Sequence, residues 1–329
     1  MRIALDIMGG DKAPKEIIEG GNAIALKEPS WEIVMVGTPE TRPLLDGAPA
    51  NVKFIPCGCA MGMDEPVEAL LHKKDSSIWV ATKLVKDGEA GAVVSAGSTG
   101  AQMSAAILLL GRVKGIARPA ITVVLPTLQG GKVMLDMGAN PDVKPEMLLQ
   151  FAQMGAIYAG IVRGVANPRV VLLSNGTEEN KGNEITVAAH KLLAASGLNF
   201  AGNLEGRDIP KGDYDVLVCD GFSGNIVLKT MEGLNSALFS LLKEEFSRNL
   251  LTKTGAALVW KGLKNIKLRL DYAEHGGAPL LGVNGVSIIC HGSSPARAIE
   301  NAVKVAVSCV RGDFVGKTAD FFNNKNARE

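Results

Sequence analysis

The sequence has no apolar run long enough to cross a membrane, and it contains only five cysteines in 329 residues. A membrane-spanning helix needs about 20 apolar residues, so no transmembrane segment is predicted. The N-terminal apolar run is also far too short for a signal peptide, which predicts a cytoplasmic protein. Because the cysteines are odd in number and scattered along the chain, no disulfide framework is expected.

The chain also has no excess charge of either sign. Its 35 basic and 34 acidic residues leave a net charge of +1, which argues against binding to nucleic acid through bulk electrostatics. The pair Cys57 and Cys59 has no nearby histidine or second cysteine pair, so no metal site is predicted. Any charged ligand is therefore expected to meet a local patch.

Three motifs that carry common chemistries are missing. No G-x-S-x-G elbow is present, so acyl transfer through a serine triad has no visible nucleophile. The sequence lacks the lysine of a P-loop and the G-x-G-x-x-G spacing of a dinucleotide fold, and no organic cofactor is predicted. The remaining chemistry is catalysis by positioning and electrostatics, which suits phosphate as a nucleophile.

Short β-rich runs alternate with glycine-bearing turns and longer segments of helical spacing. This alternation predicts an α/β fold with a largely parallel sheet, and we expect one domain over residues 1–329. The predicted strands are Arg2–Asp6, Glu32–Val36, Val52–Ile55, Ala92–Ser95, Ala120–Leu125, Val133–Asp136, Arg169–Leu173, Val216–Cys219 and Gly285–Cys290. The predicted helices are Pro14–Leu26, Glu65–His72, Ile78–Lys86, Gly100–Leu110, Pro145–Gly160, Asn183–Ser196, Asn225–Asn249 and Pro295–Val310.

One segment, residues 234–272, departs from this alternation because it is long, helical in composition and free of proline. It predicts a helical hairpin with an apolar stripe on its first half and apolar residues beside lysines on its second half. Two interpretations remain open, a dimer or core-packing element and a peripheral membrane contact. The residues expected to touch a membrane are Leu258, Val259 and Trp260.

Six glycine-bearing turns follow predicted strands and open helices. In a parallel sheet, ligands bind at the carboxyl ends of the strands, so we expect these turns to converge there. The turn "SAGSTGA" is similar to a phosphate cradle, because its glycines allow close approach of an anion to the backbone and its hydroxyls add donors. The candidate phosphate-binding or substrate-binding residues are Gly9, Gly10, Asp11, Ser95, Gly97, Ser98, Thr99, Gly100, Asp136, Asn140, Gly176, Gly224, Gly276 and Gly277.

The turns also carry a resemblance to a known family. The stretches "DIMGGDKAP", "SAGSTGA", "LDMGANPDVKPE", "GTEENKGNE", "DGFSGNIVLKT", "GGAPLLG" and "HGSS" resemble those of the bacterial phosphate acyltransferases of phospholipid synthesis. The resemblance implies a three-layer α/β/α sandwich related to phosphotransacetylases and isopropylmalate-type dehydrogenases. It also implies a homodimer without metal or organic cofactor, whose protruding hairpin touches the membrane.

The implied reaction moves a long-chain fatty acyl group from acyl carrier protein to inorganic phosphate, and the product feeds a glycerol-3-phosphate acyltransferase. By this resemblance, Lys181 would hold phosphate and Asn225 would hold the thioester oxygen or the phosphate. Asp220 and Asp136 would orient these groups, and His291 would protonate the departing thiolate.

Other interpretations of the same residues stay open at the level of sequence. Lys181 would equally form a helix-start salt bridge with Glu178, Glu179 or Glu184, and Asn225 would equally be a helix N-cap. Two alternative functions are a phosphotransacetylase acting on short acyl-coenzyme A and a non-catalytic scaffold associated with lipid.

Overall fold

An eleven-stranded mixed sheet forms the middle layer of the protein. The computed structural model describes residues 1–270 and 276–326. The predicted hairpin therefore extends by two residues, 271 and 272, outside the described residues. The strands are β1 Arg2–Asp6, β2 Glu32–Gly37, β3 Val52–Pro56, β4 Ala92–Ser95, β5 Ala120–Thr127, β6 Gly130–Leu135, β7 Val170–Ser174, β8 Phe200–Glu205, β9 Val216–Val218, β10 Ala278–Leu281 and β11 Val286–Ile289.

Helices cover both faces of this sheet. They are α1 Lys15–Lys27, α2 Ser77–Lys86, α3 Thr99–Leu109, α4 Pro145–Arg163, α5 Glu184–Ala194, α6 Gly221–Ser247, α7 Leu250–Leu270, α8 Ala296–Arg311 and α9 Phe314–Asn326. Three short 3₁₀ segments, Pro39–Leu45, Val67–Leu71 and Gly206–Lys211, lie between these elements.

The side chains of the strands alternate between two cores, as a pleated sheet requires. In β1, Ile3 and Leu5 pack against α1 and α8, in a core that also includes residues of α4, α5 and α9. Ala4 points to the other face, where it joins a core built with α2 and α3. The predicted three-layer α/β/α sandwich is thereby confirmed.

The strands do not all run in the same direction. The sheet order is β3-β2-β1-β4-β11-β10-β5-β6-β9-β7-β8, and β1 to β4 and β11 are parallel to one another. β10 is antiparallel to both of its neighbours, and β6 is antiparallel to β5. Because β9 is parallel to β6, β7 to β9 and β8 to β7, these four strands run opposite to β1, β4 and β11.

Several elements differ from the sequence-based expectation. Three elements, β8, β10 and α9, were not predicted, and the helix expected over Glu65–His72 is a 3₁₀ turn over Val67–Leu71. β10 carries Pro279, a residue that normally excludes a central strand because it cannot donate a hydrogen bond. It is accommodated because the first half of β10 pairs in register with β11 and the second half with β5.

Helices α6 and α7 form the predicted hairpin. α6 is 27 residues long and buries only Gly221 and Gly224 near its start, and α7 buries no described residue. The turn between the helices lies at residues 248–249, where Asn249 Oδ1 accepts the Thr252 backbone N–H at 2.9 Å. No helix in the described ranges combines the length and hydropathy needed to cross a bilayer.

Candidate active site

The glycine-bearing turns form two groups at opposite edges of the sheet. The first turn group follows β1, β4 and β11, and the second turn group follows β6, β7 and β9. The expectation that all six turns converge at one edge is therefore wrong, because the second half of the sheet runs in the reverse direction. Sequence patterns predict strands but do not specify their direction.

Glycines allow close packing within the first turn group. A Cβ atom on Gly9 would lie 2.6 Å from the Gly97 nitrogen, so the turns after β1 and β4 cross where neither has a side chain. Gly10 has φ of +107°, and a Cβ there would lie 2.9 Å from the Gly292 carbonyl oxygen. The backbone N–H of Asp11 donates to that same oxygen at 2.9 Å, which joins the turns after β1 and β11.

A buried carboxyl group holds these turns together. Asp6 accepts the Met8 backbone N–H at 3.0 Å and the Ser95 hydroxyl at 2.7 Å. The Ser95 hydroxyl oxygen in turn accepts the Gly97 backbone N–H at 3.0 Å. Burial raises the pKa of Asp6, although its hydrogen bonds act in the opposite direction. Ser95 therefore links Asp6, at the end of β1, to the backbone of Gly97 in the turn after β4.

The other members of the "SAGSTGA" turn lie at the start of α3. Ser98 is the N-cap residue but its side chain makes no capping hydrogen bond, and Thr99 is the first helical residue. A Cβ on Gly100 would lie 2.7 Å from the Val67 side chain, so this glycine serves helix packing. The first N–H groups of α3 have no preceding helical carbonyl, which leaves them available to an anion.

A second buried aspartate organises the turn after β6. One Asp136 oxygen accepts the backbone N–H groups of Ile121 and Ala139 at 3.0 and 3.1 Å. The other accepts the backbone and side-chain N–H groups of Asn140 at 2.7 and 2.8 Å. Burial raises the pKa of Asp136, and the four donated hydrogen bonds oppose that rise. Asp136 and Asn140 thus hold the loop in place.

The start of α6 packs directly on this loop. Gly221 donates its N–H to the Asn140 carbonyl at 2.8 Å. Asp220 caps the helix, because its side chain accepts the Ser223 N–H at 2.7 Å and the Ser223 hydroxyl at 2.8 Å. A Cβ on Gly224 would lie only 1.9 Å from the Asp136 carbonyl oxygen. The start of α6 can therefore pack this closely on the Asp136 loop only because residue 224 is glycine.

Asn225 lies one turn inside α6 and is not its N-cap, which is Asp220. Its side chain packs over Gly138, whose Cβ position is 3.8 Å from Asn225 Cβ and Cγ. Within residues 1–270 and 276–326 the amide of Asn225 has no hydrogen-bond partner. The amide is therefore free to bind a substrate oxygen.

Lys181 lies on the turn after β7, the strand next to β9. Its backbone N–H donates to the Glu178 carbonyl at 3.1 Å, and its carbonyl accepts the Ser174 hydroxyl at 3.1 Å. Its Cγ would lie 2.7 Å from a Cβ on Gly176, so that glycine makes room for the lysine stem. Among the described residues, Lys181 forms no ion pair with the neighbouring glutamates, so the salt-bridge interpretation is not supported.

Both turn groups contribute to one cavity, the central cavity, of about 290 Å³. It lies against Ile121 and Val123 on β5, between Thr99 of the first group and Met137 of the second. Five of the predicted site residues line it, namely Thr99, Asn225, Gly276, Gly277 and His291. A separate cavity of about 400 Å³ is lined by Asp220 and by Asn183 of the Lys181 turn.

The remaining predicted site residues do not line the central cavity. Lys181 lines neither of these cavities, although its turn neighbours the one that carries Asp220. The other residues outside the central cavity are Gly9, Gly10, Asp11, Ser95, Gly97, Ser98, Gly100, Asp136, Asn140, Gly176, Asp220 and Gly224. Most of these shape the backbone around it.

Proton-carrying groups in the central cavity are well defined. The Nδ1 atom of His291 accepts the Ser293 backbone N–H at 3.2 Å, so the neutral imidazole carries its proton on Nε2. Burial raises the pKa of Cys290, which also lines the cavity, to about 12. A thiol with that pKa stays protonated at neutral pH and is a poor nucleophile.

Two cavity residues were missed at the level of sequence. Lys229 and Glu232 both line the central cavity and form an ion pair of 2.9 Å. Lys229 is four residues after Asn225, and this spacing places both on one face of a helix. That spacing was the available signal, within the stretch "DGFSGNIVLKT".

Similarity to known proteins agrees with this architecture. A family model described as fatty acid synthesis protein matches residues 1–317. A phosphate acyltransferase from Desulfitobacterium hafniense is 57% identical over 320 residues, covering 96% of this chain and 96% of that protein. The chain therefore belongs to the phosphate acyltransferase family. A second phosphate acyltransferase, from Heliobacterium modesticaldum, is 54% identical over 331 residues, covering 99% and 98% of the two chains.

Solved structures resemble the phosphate acyltransferase fold at low sequence identity. A phosphotransacetylase from Streptococcus pyogenes covers 94% of this chain and 94% of its own, with a TM-score of 0.64 and 19% identity. A phosphotransacetylase from Staphylococcus aureus covers 95% and 94%, with a TM-score of 0.62 and 15% identity. These similarities establish the shared fold, as the sequence motifs implied.

Proposed function

We propose that the protein transfers a long-chain fatty acyl group from acyl carrier protein to inorganic phosphate, giving an acyl phosphate. Membership of the phosphate acyltransferase family supports this function. The observation that carries it is the central cavity, which joins an unpartnered amide on Asn225 to an imidazole N–H on His291. The neighbouring thiol of Cys290 is protonated, which favours direct transfer over an acyl-enzyme.

In the proposed reaction, a phosphate oxygen attacks the thioester carbonyl carbon. The amide N–H of Asn225 donates to the carbonyl oxygen as negative charge develops there. The carbon–sulfur bond then breaks, and the Nε2–H of His291 donates a hydrogen bond to the leaving sulfur. The thiolate takes the proton that phosphate loses, so that one hydrogen phosphate and one thioester give one acyl phosphate and one thiol.

Lys181 is proposed to bind phosphate before the attack. Its ammonium group has no partner among the described residues, and its turn is next to the one from which α6 and Asn225 begin. A free cation attracts the phosphate dianion and offsets its negative charge. Asp220 contributes by fixing the start of α6 through its cap.

The test measures acyl phosphate formation from long-chain acyl carrier protein and phosphate, with hydroxylamine as the trap. Removing a hydrogen-bond donor from an oxyanion site costs roughly 10²–10³ in rate, so Asn225→Ala is expected to lose activity on that scale. Lys181→Ala is expected to raise KM for phosphate, and Lys191→Ala, an exposed lysine on α5, serves as its control. Wild-type protein that forms no acyl phosphate would refute the function.

Membrane association is proposed for the hairpin. Leu258 and Trp260 are 87% and 65% exposed, and α7 carries five basic and no acidic residues. Leu250 and Leu251, each 82% exposed, lie beside the turn, so the tip is more apolar than the sequence alone indicated. Apolar and cationic residues on one helix match an anionic lipid surface.

Vesicle sedimentation tests this association. Replacing Leu258, Val259 and Trp260 by serine is expected to release the protein from anionic vesicles, and a Leu250→Ser, Leu251→Ser protein is expected to do the same. If both proteins sediment with anionic vesicles as the wild type does, the membrane proposal fails.

A homodimer is proposed through the outward face of α6. Leu234, Leu238 and Leu241 are exposed and spaced to form one stripe, which suits a self-complementary interface. A Leu238→Glu, Leu241→Glu protein is expected to sediment as a monomer in analytical ultracentrifugation. A monomeric wild-type protein would contradict this proposal.

The acyl phosphate is proposed to serve a glycerol-3-phosphate acyltransferase at the membrane. A mixed anhydride is a reactive acyl donor, and product made at a lipid surface would reach a membrane enzyme directly. Vesicles carrying that acyltransferase and glycerol 3-phosphate are expected to consume the acyl phosphate made by this protein. Accumulation of acyl phosphate without an acylated glycerol product would exclude the link.

A further inference from the structure

The central cavity leads into two adjoining cavities of different chemistry. The polar branch, of about 420 Å³, shares Leu228 and Glu232 with the central cavity. The apolar branch, of about 650 Å³, shares Ala298 with it. Phe239, Lys243 and Lys267 line both branches. A ligand that reacts in the central cavity therefore has two routes along the hairpin.

Hydrogen-bonding and cationic groups line the polar branch. Glu232 Oε2 pairs with Lys229, but its Oε1 is buried and has no hydrogen-bond partner in the described structure. An orphaned carboxylate oxygen is costly and is satisfied by a ligand that donates a hydrogen bond. Asn235 and Ser236 follow along the same wall, and Lys243 and Lys267 line both this branch and the apolar branch.

Large apolar side chains form most of the wall of the apolar branch, which also includes basic residues such as Lys253 and Lys264. Leu242 and Phe246 come from α6, whereas Trp260, Leu263 and Leu268 come from α7. The α7 wall from Leu268 to Trp260 covers nine residues, whose eight steps along the helix give about 12 Å. A lipid acyl chain spans half of the hydrocarbon core, about 15 Å, so the branch is long enough for most of one chain.

We infer that the two branches hold the two arms of the thioester substrate, the phosphopantetheine arm in the polar branch and the fatty acyl chain in the apolar branch. This inference rests on the proposed function, which places the thioester carbon beside Asn225. The pantetheine arm carries amide N–H groups and ends in a phosphate, which matches the orphaned acceptor of Glu232 and the two lysines that line both branches. Along α6, Glu232 lies about 10 Å from Asn225, within the reach of that arm.

The apolar branch is tested by filling it. Leu242→Trp is expected to exclude the end of long chains. Because each buried methylene contributes about fourfold, the loss of two costs about 15-fold in kcat/KM. Activity with 16-carbon acyl carrier protein should fall by that factor while activity with 8-carbon substrate stays within about twofold. Leu263→Trp fills the same branch from α7 and gives a second variant if the first does not fold.

Ile266→Trp is the matched control, because Ile266 is exposed on the same hairpin and lines neither branch. It should leave the chain-length profile unchanged. Wild-type profiles from both cavity-filling variants, or an equal shift from the control, would overturn the assignment of the acyl chain to this branch.

The polar branch is tested by removing its acceptor. Glu232→Met is expected to lower kcat/KM by roughly 10- to 100-fold with acyl carrier protein and with acyl-coenzyme A, because both carry the pantetheine arm. An acyl ethanethiol ester lacks that arm and should react at an unchanged rate. Glu244→Met, at an exposed position of α6, should change none of the three.

The three thioesters separate the possible outcomes. An equal loss with the ethanethiol ester would show that Glu232 acts on the reacting atoms or on the fold, and a loss confined to acyl carrier protein would place it at a protein-docking surface. Either result overturns the arm assignment. Failure of wild-type protein to make acyl phosphate is a different result, measured first, and would overturn the proposed function.

Discussion

Replacing Asp136 by alanine tests whether this buried carboxylate supports the loop beneath Asn225. The change leaves four N–H groups without their acceptor, from Ile121, Ala139 and both nitrogens of Asn140. Hydrogen bonds to charged groups are stronger than average, but the raised pKa shows that burial offsets part of this gain. At about 1 kcal/mol for each bond, the loss of stability is about 4 kcal/mol.

Thermal unfolding measures this loss. Unfolding entropy is about 2.1 cal/mol/K for each residue, or about 0.7 kcal/mol/K for the whole chain, so 4 kcal/mol lowers Tm by about 6 °C. Calorimetry at pH 7 gives Tm directly, and Asp142→Ala, which removes an exposed carboxylate from the same loop, should change it by less than about 1 °C. If the Asp136 and Asp142 variants unfold at similar temperatures, the hydrogen-bonding argument is wrong.

Three further predictions concern residues around the two turn groups. Burial raises the pKa of Asp6 above its ordinary value of 3.8, so the stability of wild type falls as pH rises from 3.8 through the raised pKa. Asp6→Asn has no carboxyl group to ionise and should lack this fall. The Tm of Asp6→Asn relative to wild type should therefore increase over the same pH range. Gly224→Ala should lower kcat about 100-fold by displacing α6, whereas Gly233→Ala, with open space on the same helix, should not. The Asn203 side chain donates at 2.7 Å to the Glu178 carbonyl, which also accepts the Lys181 backbone N–H. Asn203→Ala should loosen this turn and thereby raise KM for phosphate.

Each of these predictions has a result that contradicts it. A constant Tm difference for the Asp6 variant between pH 3 and 7 would show that this carboxyl does not titrate on folding. Equal activity of the two glycine variants would exclude a steric role for Gly224. Additive effects of the Asn203 and Lys181 substitutions on KM would show that Asn203 does not act through the lysine.

Local pattern predicts the elements of this fold well and their arrangement poorly. Strands such as β1 and β4 are continuous β-branched or aliphatic runs, and their turns carry glycine, so both signals agree. Strand direction depends on which strands pair over long distances. β6 runs opposite to β5 and sets the direction of the rest of the sheet, and β10, with only four residues including Pro279, runs opposite to both of its neighbours. No local signal in that stretch distinguishes a strand from a turn.

Sequence likewise predicted some residues of the candidate site and missed others. Asn225 and His291 were named by the family resemblance, and both line the central cavity. Lys181 was named by the same resemblance but lines neither the central cavity nor the cavity that Asp220 lines. Lys229 was missed because sequence does not show which face of α6 lines the cavity. The close packing of Gly224 on Asp136 fixes the rotation of α6 about its axis, and this rotation brings Lys229 to the cavity wall.

The shortness of β10 has a consequence for how the site is assembled. Ala278 and Pro279 pair with β11, and Leu280 and Leu281 pair with β5, so the two halves of the sheet are joined by two register positions on each side of β10. Asn225 and His291 belong to different halves. A small change of twist at this seam would alter the distance between the amide and the imidazole while leaving the interior of each half unchanged.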